Sequence, residues 1–149
     1  MTAERGLLCA LLLCAGGLLD GAPLRVVADI PLPGPAVRFD YQGLDAAGGR
    51  LYIAHMSADR LVVFDTPERN VVARIGPVAD PDGVVYAPSS DRIFVSDEAG
   101  RADAVIDVKS SRLLTSIPLG GEAGNTVYDP LESLDGRPIL RILEPFIER

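Results

Sequence analysis

The phrase GGRLYIAHMSADRLVVFDTPERNVVARI, Gly48 to Ile75, returns 42 residues later as SDRIFVSDEAGRADAVIDVKSSRLLTSI, Ser90 to Ile117. At that offset Leu51 falls on Ile93, Tyr52 on Phe94, Ile53 on Val95, Val63 on Val105, Phe64 on Ile106 and Ile75 on Ile117. Asp65 and Asp107 close the matching apolar runs. A fixed period of this kind marks a repeat architecture, in which each unit buries its apolar face against its neighbours. Such a chain folds as stacked copies of one element, and each copy contacts only the copies beside it.

Within each unit the apolar residues come in short β-type runs split by turn residues, with no helical period. In the second unit the expected strands are Gly83–Ala87, Arg92–Ser96, Ala104–Val108 and Leu113–Ile117. Turns lie at Pro88–Asp91 and Lys109–Arg112, and Asp97–Asp103 reads as a polar loop. The first unit follows the same plan with Val37–Leu44, Arg50–Ala54, Arg60–Asp65 and Val71–Ile75, the second and third of these joined by the loop HMSAD. Leu24–Ile30 reads as the last strand of a preceding unit, because DIPLPG echoes SIPLGG. A third unit opens at GNTVYDP, where Tyr128 repeats Tyr86 and Pro130 repeats Pro88. Beyond it the register fails, save for a weak match of Gly136–Leu140 to Gly49–Ile53. Four short strands in about 40–50 residues is the size of a propeller blade. The fold expected is therefore all-β, a partial β-propeller with two complete four-stranded blades, 37–75 and 83–117. A partial blade, 125–143, follows, and a divergent tail occupies 131–149.

The phrases LYIAHMSADRLVVFDTPERNVVARI and IFVSDEAGRADAVIDVKSSRLLTSIPLGG resemble the YVTN family of β-propeller repeats. The shared pattern is an aromatic-bearing strand, a polar loop, two hydrophobic residues and Asp, then a turn and a strand ending Ile-Pro-x-Gly-Gly. The resemblance spans Leu24 to Pro130 and implies a seven-bladed propeller, commonly secreted or periplasmic, that binds rather than catalyses. His55 and Asp97 stand where the family usually has Asn, and Pro77-Val78 replaces Gly-Gly.

Ring closure needs at least about four blades, and this chain carries two and a fragment. Truncation of a longer product is the expectation; the alternative is a short chain that assembles several copies into one ring. Unpaired blade faces then favour self-association.

The N-terminus differs in kind. Gly6 to Leu19 is unbroken apolar or small sequence, shorter than the ~20 residues a membrane-spanning helix needs. Residues 1–21 read as a signal peptide, cleaved after Gly17 or Gly21, which places the mature chain in the periplasm or outside the cell. No stable membrane span is left after cleavage. Cys9 and Cys14 both fall inside this segment, so the mature chain forms no disulfide; Cys14 follows Leu13, which argues against a lipid anchor. The 14 Lys and Arg against 21 Asp and Glu leave a net charge of −7 with no local basic run, which excludes generic attraction to nucleic acid.

His55, the one histidine, excludes any His-pair mechanism and reads as a solvated loop residue at a strand end. The connections between second and third strands, and between fourth and first strands, emerge at one end of a propeller. That end collects His55, Asp59, Asp80, Asp82, Asp97, Glu98, Asp103 and Glu122, the candidate binding residues. A ring of carboxylates is the donor set of Ca²⁺ or another divalent cation, though no D-x-D-x-D-G loop is present; no cofactor is expected otherwise. Asp65 and Asp107 recur once per unit, which points to capping of the following turn rather than to catalysis. There is no G-x-S-x-G or S-x-x-K nucleophile motif, and Gly120-Gly121 lacks the Lys and helix of a phosphate loop. The chain is accordingly expected to be no enzyme but an exported binding module for a protein or small ligand. The alternatives are a metal-dependent, lactonase-like propeller enzyme or an accessory of a quinone-cofactor dehydrogenase, and a truncated product with no function of its own.

Overall fold

A computed structural model describes residues 24–134 and 137–142. The expected signal segment, with Cys9 and Cys14, and the last residues of the tail lie outside the described residues. The strands run β1 Gln42–Asp45, β2 Arg50–His55, β3 Arg60–Asp65, β4 Asn70–Ile75, β5 Pro81–Ala87, β6 Arg92–Asp97, β7 Ala102–Asp107, β8 Arg112–Pro118, β9 Thr126–Leu134 and β10 Arg137–Ile142. They form two four-stranded antiparallel meanders, β1-β2-β3-β4 and β5-β6-β7-β8, and a two-stranded pair, β9-β10. The molecule is thus a partial β-propeller of two complete blades and the start of a third.

The repeat is kept in backbone detail. Each of three turns ends on a residue with positive φ directly before the next strand. These are Gly49, Asp59 and Arg69 in the first unit and Asp91, Arg101 and Ser111 at the matching places in the second. The aspartate at the end of a strand caps the turn that follows. Oδ1 of Asp45 accepts from the Gly48 amide, Asp65 from Glu68 and Asp97 from Gly100, all at 2.8 Å, and Asp107 Oδ2 accepts from the Ser110 amide at the same distance. Asp65 and Asp107 therefore do the turn work expected of them. They do one thing more: each pairs with an arginine across the sheet, Asp65 with Arg50 and Asp107 with Arg92, the latter at 2.6 Å. Both carboxyls are held below the usual carboxylate range, first by the turn amides of Glu68 and Ser110 and then by these guanidinium groups and, at Asp107, the Ser110 hydroxyl.

The middle strands β2, β3, β6 and β7 carry near-continuous apolar runs because both of their faces are covered. Tyr52, Ala54, Leu61 and Val63 of the first sheet meet Val84, Ile93, Val95, Ala104 and Ile106 of the second in one core. The rings of Tyr52 and Tyr86 lie across that seam with centroids 6.0 Å apart. Burial and the nearby Asp45 charge push the Tyr52 hydroxyl up to about 12. The outer strands are exposed: Val72 on β4 and Leu114 and Ile117 on β8 stand largely in solvent.

The seam between the second and third units is built on the same geometry with different chemistry. At the 42-residue offset, Ala54 becomes Ser96, Leu61 becomes Asp103 and Val84 becomes Thr126. All three are buried. Ser96 Oγ and Thr126 Oγ1 lie 2.9 Å apart, and the Thr126 hydroxyl donates to Asp103 Oδ1 at 3.2 Å. Among the described residues Asp103 Oδ2 has no hydrogen-bond partner. Gly83 lets the two sheets approach this closely, since a Cβ there would stand 2.9 Å from Asn125 Cα and from the Thr126 amide nitrogen.

Several expectations change. Leu24–Ile30 is no strand; Leu24, Val26 and Val27 are exposed, and among the described residues no sheet offers that run a ladder. Val37–Leu44 shortens to Gln42–Asp45, although Asp40 and Tyr41 still exchange backbone bonds with Ala54. The loop expected at Asp97–Asp103 is shorter, because β7 begins at Ala102. Asp103 leaves the loop end and enters the interior. The weak match at Gly136–Leu140 marks a real strand, β10, whose register slips between Pro138 and Ile139, where proline removes a ladder donor.

Candidate functional site

The connections β2–β3, β4–β5, β6–β7 and β8–β9 share one end of the molecule, here the loop end. They are tied to one another by their own backbone. Asp59 Oδ1 accepts from the Asp80 amide at 3.1 Å, and the Val78 amide donates to the Asp59 carbonyl at 3.2 Å. The amides of Glu98 and Ala99 donate to the carbonyls of Asp80 and Ala79 at 3.4 and 3.3 Å, and Leu119 to that of Arg101 at 3.0 Å. Four loops from two units thus form one continuous rim. A single 3₁₀ turn, Met56–Ala58, and the left-handed Asp59 carry the chain from β2 into β3.

His55 closes β2 and is buried, not the solvated loop residue expected. Its Nε2–H donates to the Pro35 carbonyl at 3.2 Å, and its ring stacks on Phe39 at 4.1 Å between centroids. The segment from Pro33 to Tyr41 therefore crosses the loop end of the first sheet. Arg74 holds the start of it, donating to the Pro33 carbonyl at 3.4 Å. Beneath this strap lies a cavity of about 500 Å³, lined by Pro33, Gly34, Pro35, His55, Ala58, Arg60 and Arg74.

The register says which face the cavity occupies. His55 pairs with Arg60, Ile53 with Val62 and Val62 with Arg74. These residues share the face of the first sheet turned away from the second unit. Arg60 and Arg74 are diagonal neighbours there, at a spacing of about 7–8 Å for such positions. Neither is paired with a carboxylate among the described residues. Gly76 leaves room for the Arg60 side chain: a Cβ at Gly76 would stand 2.7 Å from Arg60 Nη1 and as close to the Asp59 carbonyl oxygen.

The expected acidic ring is dispersed. Asp59 is engaged with Asp80, and Asp97 with the Gly100 amide. Asp82 is raised above the usual carboxylate range, chiefly by burial and then by the charges of Asp40 and Glu98. Glu122 is exposed and does not line the cavity. Among the described residues no group of three or more His, Cys, Asp or Glu side chains is placed to hold a metal ion. The divalent-cation expectation therefore has no assembled donor set behind it. Of the acids counted at this end, Asp103 is withdrawn altogether, and burial pushes its carboxyl up to about 6.

What residue-level reading of the sequence missed is Arg60 and Arg74. A signal was there: at the repeat offset they fall on Ala102 and Ser116. The first unit places two cations where the second places small residues.

No family model and no curated protein matches the chain. Among solved structures it is similar to hydrazine synthase of Kuenenia stuttgartiensis, with a TM-score of 0.58 and 18% sequence identity. The alignment covers 76% of this chain and 30% of that one, so the chain spans less than a third of its neighbour. At that identity the likeness is one of fold alone.

Proposed function

We propose that this chain is a non-catalytic, exported repeat module of the YVTN propeller type that holds a protein or small ligand at its loop end. The observation that carries this reading is the tied rim of four loops beside a cavity of about 500 Å³, the size range of small-molecule sites. The polar side chains that would otherwise invite a reaction are occupied. His55 holds the Pro35 strap, Asp59 holds Asp80, and Asp65, Asp97 and Asp107 cap turns. A rigid frame with loops gathered at one end is a binding surface by construction. Export rests on the apolar run Gly6–Leu19, and self-association on the exposed apolar residues of the outer strands β4 and β8.

Two experiments test the proposal. A small-ligand screen of the ¹⁵N-labelled chain should yield shift changes at residues 33–35, 55–60, 74–82 and 97–100. Changes confined to the opposite turns, 46–49, 66–69 and 88–91, or chemical conversion of a ligand, would refute the reading. Residues 1–23 fused to a reporter active only outside the cytoplasm should give signal, and silence would remove the exported location.

A further inference from the structure

We propose that the cavity under the Pro33–Tyr41 strap is a site for a small organic anion, its carboxylate or phosphate head held between Arg60 and Arg74. Two guanidinium groups stand on one face of a sheet, neither in an ion pair among the described residues, in a chain whose net charge is −7. Two like charges on one sheet face gain from an anion placed between them. Asp59, adjacent to Arg60, instead spends its carboxylate on the Asp80 amide. Both cations are exposed at the cavity, where an anion can reach them.

Guanidinium is the side chain whose planar donors match a carboxylate or phosphate two bonds at a time. Arg74 also bonds the Pro33 carbonyl, so the strap and one of the two cations are positioned together. His55 is a positioning residue here, since its bond to Pro35 fixes the roof. The remaining walls, Pro33, Pro35 and Ala58, are apolar. A bare phosphate fills only a small part of 500 Å³, so the fitting ligand carries a compact apolar or neutral body behind its anionic head.

This assignment rests on the loop end being the binding end, and the test separates the two. The full chain is titrated with benzoate and, separately, with phenyl phosphate, followed by ¹⁵N shifts and calorimetry. Binding of either probe is expected, with shifts at Gly34, Ala58, Arg60 and Arg74, and benzoate against phenyl phosphate, which share one ring, tells which head the site prefers. Arg60→Gln and Arg74→Gln should each weaken binding about tenfold or more, as loss of a charged hydrogen bond does. Added salt should weaken it as well. Arg112→Gln, an exposed arginine at the opposite end, should leave it unchanged, and far-UV circular dichroism checks that every variant folds. No binding of either probe at millimolar concentration, or wild-type affinity in either cavity variant, overturns the anion site. If neutral ligands shift the loop residues while the anions do not, the anion site fails and loop-end binding stands. If no ligand shifts them, both fail.

Discussion

Asp103 should make the seam between the second and third units pH-dependent in the opposite sense to an ordinary surface carboxylate. It occupies the place that Leu61 fills in the first unit, it is completely buried, and no donor among the described residues reaches Oδ2. Burial raises its carboxyl from 3.8 to about 6, partly offset by the Thr126 hydroxyl. With the folded value above the unfolded one, the folded state binds more protons between these two limits. Stability from this group is therefore full below about pH 4 and is lost as pH rises through about 6. At ~1.4 kcal/mol per tenfold in proton affinity, the displacement corresponds to ~3 kcal/mol. Asp65 and Asp107 act in the other direction, since their lowered values add stability above the unfolded range and lose it on acidification. The raw pH curve mixes these effects, so the comparison is with Asp103→Asn, which keeps the shape and cannot ionise. Urea unfolding of both proteins, followed by far-UV circular dichroism from about pH 4 to about pH 7.5, gives the difference. The wild type should lose ~3 kcal/mol relative to the variant across that range, and the Asp103 ¹³Cγ signal should titrate near 6. A flat difference, or titration at the ordinary carboxylate value, would refute the assignment of a desolvated acid to this seam.

Copying the first seam onto the second, with Ser96→Ala, Asp103→Leu and Thr126→Val together, should stabilise the chain at pH 7 by about 1–4 kcal/mol, as replacing buried charge with packed apolar groups does; calorimetric melting checks it. Gly83→Ala drives a methyl into the β9 backbone and should cost about 1–3 kcal/mol, with faster hydrogen exchange in β9 and unchanged exchange in β2 and β3. Asp107→Asn should lower the melting temperature at neutral pH and leave it unchanged in acid below the range of the native carboxylate, because the depressed acid contributes only when ionised.

Most of the strand plan was legible because the repeat states it twice. Leu51–His55 and Ile93–Asp97, or Leu61–Asp65 and Asp103–Asp107, confirm one another at a single offset, and apolar runs that long need two covered faces. Leu24–Ile30 misled because local β-propensity is not enough; a strand exists only where a neighbour offers a ladder, and among the described residues none does. Asp103 was lost inside the polar run DEAGRAD, where composition says loop. Its alignment with Leu61 said interior, and packing followed the alignment. His55 was misjudged for a different reason: the partners that bury it, Pro35 and Phe39, come from a strap with no repeat counterpart to announce it. Arg60 and Arg74 are exposed, as charged residues usually are. Only the register, which places both on the cavity face, distinguishes them from arginines such as Arg50 and Arg92 that are spent on ion pairs.

The two complete blades meet face to face through Tyr52, Leu61 and Val63 on one side and Tyr86, Val84 and Ile93 on the other. The most direct measurement is a nuclear Overhauser spectrum of the aromatic protons. Cross-peaks between the Tyr52 and Tyr86 rings, whose centroids lie 6.0 Å apart, are the expected result. Their absence, with Tyr52 instead contacting only residues of its own unit, would contradict the stacked-blade account.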